Sequence, residues 1–276
     1  MDPEFPKISI ITPSFNQAEF LERTICSVLE QGYPNLEYIV IDGGSVDGSV
    51  DIIRRYEKHL AYWVSEADNG QAHAINKGLA IATGEWVAWQ NSDDVYYPDA
   101  LKWIAEVVRR NPGVELIVGD MNLITKDGSI IRDVRYVRPT YGSLLAEGMV
   151  LANQAAFWRR STHDKAGYLD ETLDCVFDRE WFLRILKMKI KVVHTSRILG
   201  ALRLHEDTKT NTLAEVFHIE AARVLAGREP ALWMKRFYQL RRFILMLGLG
   251  HHEYFLRGVR RRLKMSFSVR NDDEKK

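Results

Sequence analysis

Two adjacent carboxylates, Asp93 and Asp94, close the polar run Asn91-Ser92-Asp93-Asp94, just after an apolar stretch that carries Trp86 and Trp89. Neighbouring like charges repel, so the pair favours a cation or hydrogen-bond donors. Oxygen ligands on a loop suit Mg²⁺ or Mn²⁺, and either ion would also hold a substrate diphosphate. A solvated turn and helix cap ahead of Pro98 is the other reading of the pair. Asp42 likewise ends an apolar stretch and precedes Gly43 and Gly44. Those glycines permit close backbone approach to a flat ligand; a plain turn residue is the alternative. Asp178 stands before a helical pattern formed by Trp181, Leu183, Ile185 and Leu186. A helix N-terminus favours an anion, so it would hold Asp178 ionised, or Asp178 is simply the N-cap. Arg203 and His205, two positions apart, point the same way from an extended segment.

The elements that must position these groups alternate between strand and helix. Residues 7–13 read as a buried strand. A helix follows with Leu21, Ile25, Val28 and Leu29 on one face, opened by a capping pair of Asn16 and Glu19 and ended by Gly32 and Pro34. Strands at 36–42, 61–65, 85–90 and 114–120 alternate with helices near 50–57, 71–82 and 98–110. Asp127-Gly128 suits a hairpin turn between 122–125 and 129–133. This order predicts an α/β fold, a mostly parallel mixed sheet flanked by helices. Ligands bind such sheets beyond the carboxyl ends of the strands. The polar clusters 12–16, 42–47, 66–71 and 91–94 all fall there. No GxGxxG follows a strand, and GxxxxGK[ST], HExxH and GxSxG are absent. A dinucleotide site, a P-loop, a zinc hydrolase and a serine hydrolase are therefore unsupported.

The chain has 276 residues, 46% hydrophobic and 27% charged, which excludes disordered and fibrous classes. Two cysteines, Cys26 and Cys175, exclude a disulfide scaffold and fit a reducing cytosol. No apolar run reaches the roughly 18 to 20 residues that span a bilayer. Residues 1–6 lack the features of a signal peptide and read as an expression-vector remnant. The net charge of +1 hides an asymmetry: from Arg228 onward 13 Lys/Arg face 5 Asp/Glu, and the rest has 25 against 32. The basic region mixes Trp233, Phe237, Phe243 and Ile244 with Lys235, Arg236, Arg241 and Arg242, and continues through a second basic run at 257–264. Short helices lying in a membrane interface use that composition, so 228–276 is expected to be a basic amphipathic helical tail on an anionic membrane surface, or a helical pair packed on the body. His251 and His252 fall in this tail and are expected at its interface, not as ligands. No nucleic-acid-reading motif occurs.

Taken in order, Ile10-Ile11-Thr12-Pro13-Ser14-Phe15-Asn16, Val40-Ile41-Asp42-Gly43-Gly44-Ser45-Val46-Asp47-Gly48-Ser49, Asp68-Asn69-Gly70-Gln71 through Ala74-Ile75-Asn76-Lys77-Gly78, and Asn91-Ser92-Asp93-Asp94 resemble the family 2 inverting glycosyltransferases of GT-A fold. The resemblance covers about the first hundred residues and continues less sharply to about Thr210. It implies that Thr12, Pro13, Asn16, Asp42, Asp68, Asn76 and Asp93 bind or support a nucleotide sugar. It implies Asp94 as the metal ligand for Mn²⁺ or Mg²⁺, with His205 near the metal or diphosphate. Asp178 matches the general base, with Asp174 and Glu180 as competitors for that role. Arg203, Asn153, Gln154 and Trp181 fall on the diphosphate and acceptor side.

Inversion by a single displacement needs one base for the acceptor hydroxyl and charge stabilisation on the leaving diphosphate. The expected activity is transfer from a nucleotide sugar, a UDP-sugar first, to a hydroxyl of a lipid-linked or growing cell-surface glycan, on the cytoplasmic face of the membrane. The expected division is a nucleotide-sugar half at 7–133, an acceptor half at 134–227 and the tail. Two other classes compete. A sugar nucleotidyltransferase would need a glycine-rich basic loop after the first strand, which 12–16 lacks. A non-catalytic, membrane-attached nucleotide-binding protein is disfavoured by the intact set Asp42, Asp93, Asp94 and Asp178.

Overall fold

The computed structural model describes residues 5–206, 208, 213–251 and 254. The first four residues, His252 and the basic run at 257–264 lie outside the described residues. Phe5 and Pro6, grouped by the sequence with a vector remnant, belong to the fold. Phe5 packs edge-on to Tyr33 at 5.8 Å, and the Tyr33 hydroxyl donates to the Pro6 carbonyl at 2.7 Å.

Strands β1 (Ile8–Ser14) and β2 (Leu36–Asp42) are buried almost throughout. Continuous apolar runs of this kind are what a sheet covered by helices on both faces requires. With β3 (Tyr62–Ser65) and β4 (Trp86–Trp89) they form a parallel block in the order β3-β2-β1-β4. The crossovers are α1 (Ala18–Leu29), α2 (Ser49–Tyr56) and α3 (Gln71–Ile81). Ser14 pairs with Asp42 and Asp42 with Ser65, so three strands end level at one edge of the sheet.

The chain continues through β5 (Val95–Tyr96), α4 (Ala100–Arg110), β6 (Leu116–Ile124), β7 (Ile130–Val134), α5 (Tyr141–Glu147), a 3-10 turn at Asn153–Ala155, β8 (Ala156–Arg159), α6 (Arg160–Ala166), α7 (Phe177–Lys187) and β9 (Val192–Arg203). Two further helices follow, α8 (Ala214–Leu225) and α9 (Leu232–Gly248). Strand β8 runs antiparallel between β4 and β6, and β9 lies parallel to β6 and antiparallel to β5. The sheet order is therefore β3-β2-β1-β4-β8-β6-β9-β5, with β7 on β6. One sheet runs across the expected boundary between residues 133 and 134. The Asp127-Gly128 hairpin forms, but its first arm is the end of the long β6 rather than a separate strand.

The start of α1 differs from the expected cap. Asn16 takes a left-handed conformation, φ 50°, and its Oδ1 accepts from Val46 N. Asp47 supplies the anion instead: its Oδ2 accepts from Ala18 N at 2.8 Å, and Ser49 Oγ accepts from Gln17 N. The loop after β2 thus caps the helix after β1, which fixes the two loops to each other.

An aromatic cluster seats α7 on the sheet. Trp181 lies 4.7 Å from Trp158 of β8 and 6.1 Å from Trp89 of β4, and Phe182 joins them. All four side chains are buried, and aromatic pairs in such tilted and edge-to-face arrangements each add about 0.5–1.5 kcal/mol beyond area burial. The first turn of α7, with Asp178, is thereby placed over the ends of β4 and β8.

Candidate active site

The strand ends open into a cleft of about 570 Å³. One wall comes from Pro13, Ser14 and Phe15 after β1, Gly43 after β2, and Asp68, Gly70 and Gln71 before α3. The cleft is also lined by Asn91, Ser92, Asp93 and Asp94 after β4, by Asn153 and Gln154 before β8, by Asp174, Phe177 and Asp178 at the start of α7, and by Arg203 at the end of β9. Gly43 fits because a Cβ there would come within 2.7 Å of the Asp68 carboxylate. Gly200 does the same beside Gln154: a Cβ would meet the Gln154 carbonyl at 2.6 Å.

Asp94 is almost fully buried and accepts from three chain segments. Oδ1 takes the Arg203 backbone N–H at 2.9 Å; Oδ2 takes Gln154 Nε2 at 2.7 Å and Asn91 Nδ2 at 3.0 Å. Burial raises its pKa well above the usual carboxylate range, and the adjacent Asp93 charge raises it further; the three donors oppose this. Among the described residues no ion pair reaches Asp94. Asp93 is partly exposed and meets His205 Nε2 at 3.1 Å. The His205 ring lies 4.6 Å from Phe20.

Asp178 lies in the first turn of α7, with Val176 as N-cap residue and no side-chain cap. Its Oδ1 accepts from Arg179 N at 2.6 Å. Burial is the largest influence on it and lifts its pKa to about 6, against the opposing backbone donor and the Arg179 charge, so the helix end does not hold it at an ordinary aspartate value, although it is still mostly ionised at neutral pH.

The structure brings Pro13, Asp68, Asp93, Asp94, Asn153, Gln154, Arg203 and Asp178 to this cleft and sets other expected residues apart from it. Thr12 is sealed beneath, with Oγ1 3.0 Å from the Tyr38 hydroxyl. Asp42 has no exposed surface; it accepts from Gly44 N, Ser45 N, Ser45 Oγ and Ser65 Oγ, so it shapes the glycine turn. Asn76 exchanges hydrogen bonds with the backbone of Leu169 and donates to Glu171, which ties α3 to that loop. Asn16 belongs to the α1 entry. Trp181 is sealed in the aromatic cluster, its indole N–H donated to the Gly167 carbonyl, so it offers no surface to an acceptor. The Arg203 guanidinium is buried and donates to the carbonyls of Asp93, Thr125 and Lys126; it is a clamp on the wall rather than a hand for the diphosphate. His205 reaches Asp93, not Asp94.

Several lining residues were not singled out from the sequence. Phe15, 59% exposed, stands on the lip of the cleft, and Gln71 donates to Asn91 Oδ1 at 2.9 Å. Both sit inside the strand-end polar runs, which was the available signal. Ser14 Oγ, Asn153 Nδ2 and Gln154 Oε1 line the cleft as buried polar atoms without a protein partner. Unmet hydrogen-bonding capacity of this kind is characteristic of a site for a polar ligand.

Comparison with known proteins agrees with this architecture. The Glycosyl transferase family 2 model matches residues 9–129. An uncharacterized glycosyltransferase of Mycobacterium tuberculosis is 34% identical over 182 residues, covering 65% of this chain and 68% of that protein. A Bacillus subtilis glycosyltransferase named for teichuronic acid biosynthesis, TuaG, is 37% identical over 129 residues, 45% of this chain and 50% of that protein. The chain therefore spans about half the length of the Bacillus relative. S. aureus TarS 1-349 in complex with UDP-GlcNAc superposes with a TM-score of 0.63 at 18% identity, covering 83% of this chain and 69% of that one. The mannosyltransferase PcManGT of Pyrobaculum calidifontis, solved with GDP-Man and Mn²⁺, gives 0.56 at 20% identity, covering 89% and 82%. The fold is GT-A, and the chain belongs to the family 2 glycosyltransferases.

The uncompensated burial of Asp94 has a consequence for stability. A carboxylate whose folded pKa is raised destabilises the fold when it is ionised, above that pKa. Asp94→Asn removes the titrating group, so the part of the wild-type decline in melting temperature that accompanies Asp94 ionisation as pH rises is expected to be absent in the ligand-free variant. Thermal unfolding across pH checks this; a variant with the same pH dependence as wild type contradicts it.

Proposed function

We propose that this glycosyltransferase moves a sugar from a nucleoside diphosphate donor, a UDP-sugar first, to a hydroxyl acceptor with inversion. The observation that carries the reading is one cleft lined by Asp93 and Asp94 and by Asp178, at a pKa of about 6. Asp178 is the general base. It accepts the acceptor hydroxyl proton while that oxygen bonds to the anomeric carbon and the bond from this carbon to the diphosphate oxygen breaks. A pKa of about 6 leaves the carboxylate ionised at neutral pH yet more basic than an exposed aspartate. Phe15 on the lip offers a ring to the base of the nucleotide. Ser14 Oγ and Asn153 Nδ2 offer donors to sugar or phosphate oxygens, and Gln154 Oε1 offers an acceptor to a sugar hydroxyl.

The residues present fit a divalent cation. Asp94 is a buried carboxylate that forms no ion pair among the described residues, and Asp93 is adjacent. No group of three or more His, Cys, Asp and Glu is gathered there among the described residues. A bound Mg²⁺ or Mn²⁺ would therefore draw its remaining ligands from the diphosphate and water, as such ions commonly do. Held by Asp93 and Asp94, it would neutralise charge developing on the leaving diphosphate. Structural neighbours solved with UDP-GlcNAc and with GDP-Man and Mn²⁺ support this reading.

The acceptor reading rests on α9. Its inner face docks on α5: Tyr238 lies against Gly142, Arg242 pairs with Glu147 at 3.0 Å, and Met246 is buried. Its outer face carries Trp233, 70% exposed, with Phe237, Leu240, Ile244 and Leu247 in line behind it, at alternating steps of four and three residues, all exposed. Lys235 and Arg236 flank this stripe. Among the described residues no helix is long and apolar enough to cross a membrane. A bilayer with anionic headgroups matches an apolar stripe with a basic margin, and it would present a lipid-linked glycan acceptor.

Two outcomes are expected. Asp178→Asn abolishes release of nucleoside diphosphate from a panel of UDP-sugars while nucleotide binding stays within about twofold of wild type, and the wild-type kcat/KM falls about tenfold per pH unit below about 6, where the base becomes protonated. Undiminished turnover in the variant contradicts the assignment. Wild-type protein sediments with phosphatidylglycerol vesicles and not with phosphatidylcholine ones, and Trp233→Glu with Phe237→Glu reduces that binding about tenfold or more. Unchanged binding removes the membrane reading, and a concentration-dependent dimer disrupted by the same variant assigns the stripe to a second copy instead.

A further inference from the structure

The segment that enters α7 is held from outside. Glu220 of α8 is buried and accepts three successive backbone N–H groups: Asp174 N at 2.7 Å on Oε1, and Cys175 N at 2.9 Å and Val176 N at 3.2 Å on Oε2. Val176 makes no side-chain cap, and the three amides held by Glu220 lie just ahead of α7, on the segment that leads into it. A second clamp from the same helix lies one turn further on: Arg223 donates to Thr172 Oγ1 and stands 3.8 Å from Asp170. Asp174, Cys175, Phe177 and Asp178, which bracket the clamped amides, all line the cleft. The aromatic cluster sets α7 through Phe177, Trp181 and Phe182, and Glu220 holds the backbone immediately before it.

We infer that Glu220 is a positioning residue for the general base. By fixing the backbone at 174–176 it sets the depth of Asp178 in the cleft and couples α8 to the acceptor wall. Glu220 touches no reacting atom; it acts through the three amides. Holding that segment keeps Asp178 buried, and burial is the largest cause of its raised pKa. The inference rests on the reading of Asp178 as the base, and its test separates the two.

The test follows the Asp178 carboxyl directly, by carbon-13 NMR of aspartate-labelled protein, with the resonance identified by its loss in Asp178→Asn. In wild type the titration midpoint is expected at about 6. In Glu220→Ala, which frees the segment, the midpoint is expected to fall by about half a unit or more; Glu220→Gln, which keeps one acceptor oxygen, is expected to fall less. Amide exchange at 174–176 is expected to quicken in the same order. Loss of a merely structural contact would lower the melting temperature and leave the midpoint in place. A midpoint near 6 in wild type and both variants overturns the positioning role and leaves the base standing. A wild-type midpoint in the ordinary aspartate range overturns the poised base and the inference with it. If Glu220→Ala does not fold, Glu220→Gln decides alone: an unshifted midpoint with unchanged amide exchange rejects the role.

Discussion

A carboxylate buried with hydrogen-bond donors but no ion pair among the described residues organises this site. Asp94 accepts from Asn91 on its own loop, from Gln154 on the turn before β8 and from the backbone of Arg203 at the end of β9. These segments come from both sides of the expected division at residue 133, so one side chain joins the strand ends into a single site. An isolated buried charge is costly, and donors offset that only in part. Asp93 beside it adds repulsion and is itself turned toward His205. The arrangement stores a preference for positive charge where a diphosphate would lie. Cation binding and fold stability are therefore opposed at the same residue, a trade expected where function requires strain.

Placement of Asp178 follows from different physics. The tryptophans of β4, β8 and α7 interlock through their rings, which fixes α7 against the sheet without any polar contact. Packing places the helix, and Glu220 holds the three amides that lead into it. Burial then raises the pKa of Asp178 to a value suited to taking a proton near neutrality. Asp178, the proposed base, and the carboxylate pair line one cleft, and β8 runs antiparallel between β4 and β6 beneath them.

The first half of the molecule is legible in the sequence because its strands are continuous apolar runs and its helices carry one apolar face, two periods that local pattern separates cleanly. The strand at 36–42 falls on β2, and the loop clusters at strand ends fall on the cleft. The second half is harder. Strand β8 is four residues long, β5 is two, and both owe their existence to partners far away in sequence. Site residues divide similarly. Asp93, Asp94 and Asp178 are carboxylates at element ends, where sequence alone suggests chemistry. Asp42, Asn76 and Trp181 look equally suggestive, but their polar atoms are taken by neighbouring loops or strands. That outcome depends on tertiary contacts such as Asn76 with Leu169. Glu220 is invisible to local pattern because its role is set by three amides about 45 residues earlier in the chain.

The central claim is that the cleft binds a nucleoside diphosphate through a cation held at Asp93 and Asp94. Thermal stability against UDP, GDP, dTDP and CMP, each with Mn²⁺ or with chelator, addresses it most directly. Ligand at about a hundred times its dissociation constant adds about 2.7 kcal/mol, a rise of roughly 5–10 °C for a chain of this size. Such a rise is expected with one diphosphate, UDP first, only when metal is present, and is expected to vanish in Asp94→Asn. A rise of the same size in chelator, or one that survives Asp94→Asn, rules out a cation bridge at Asp93 and Asp94.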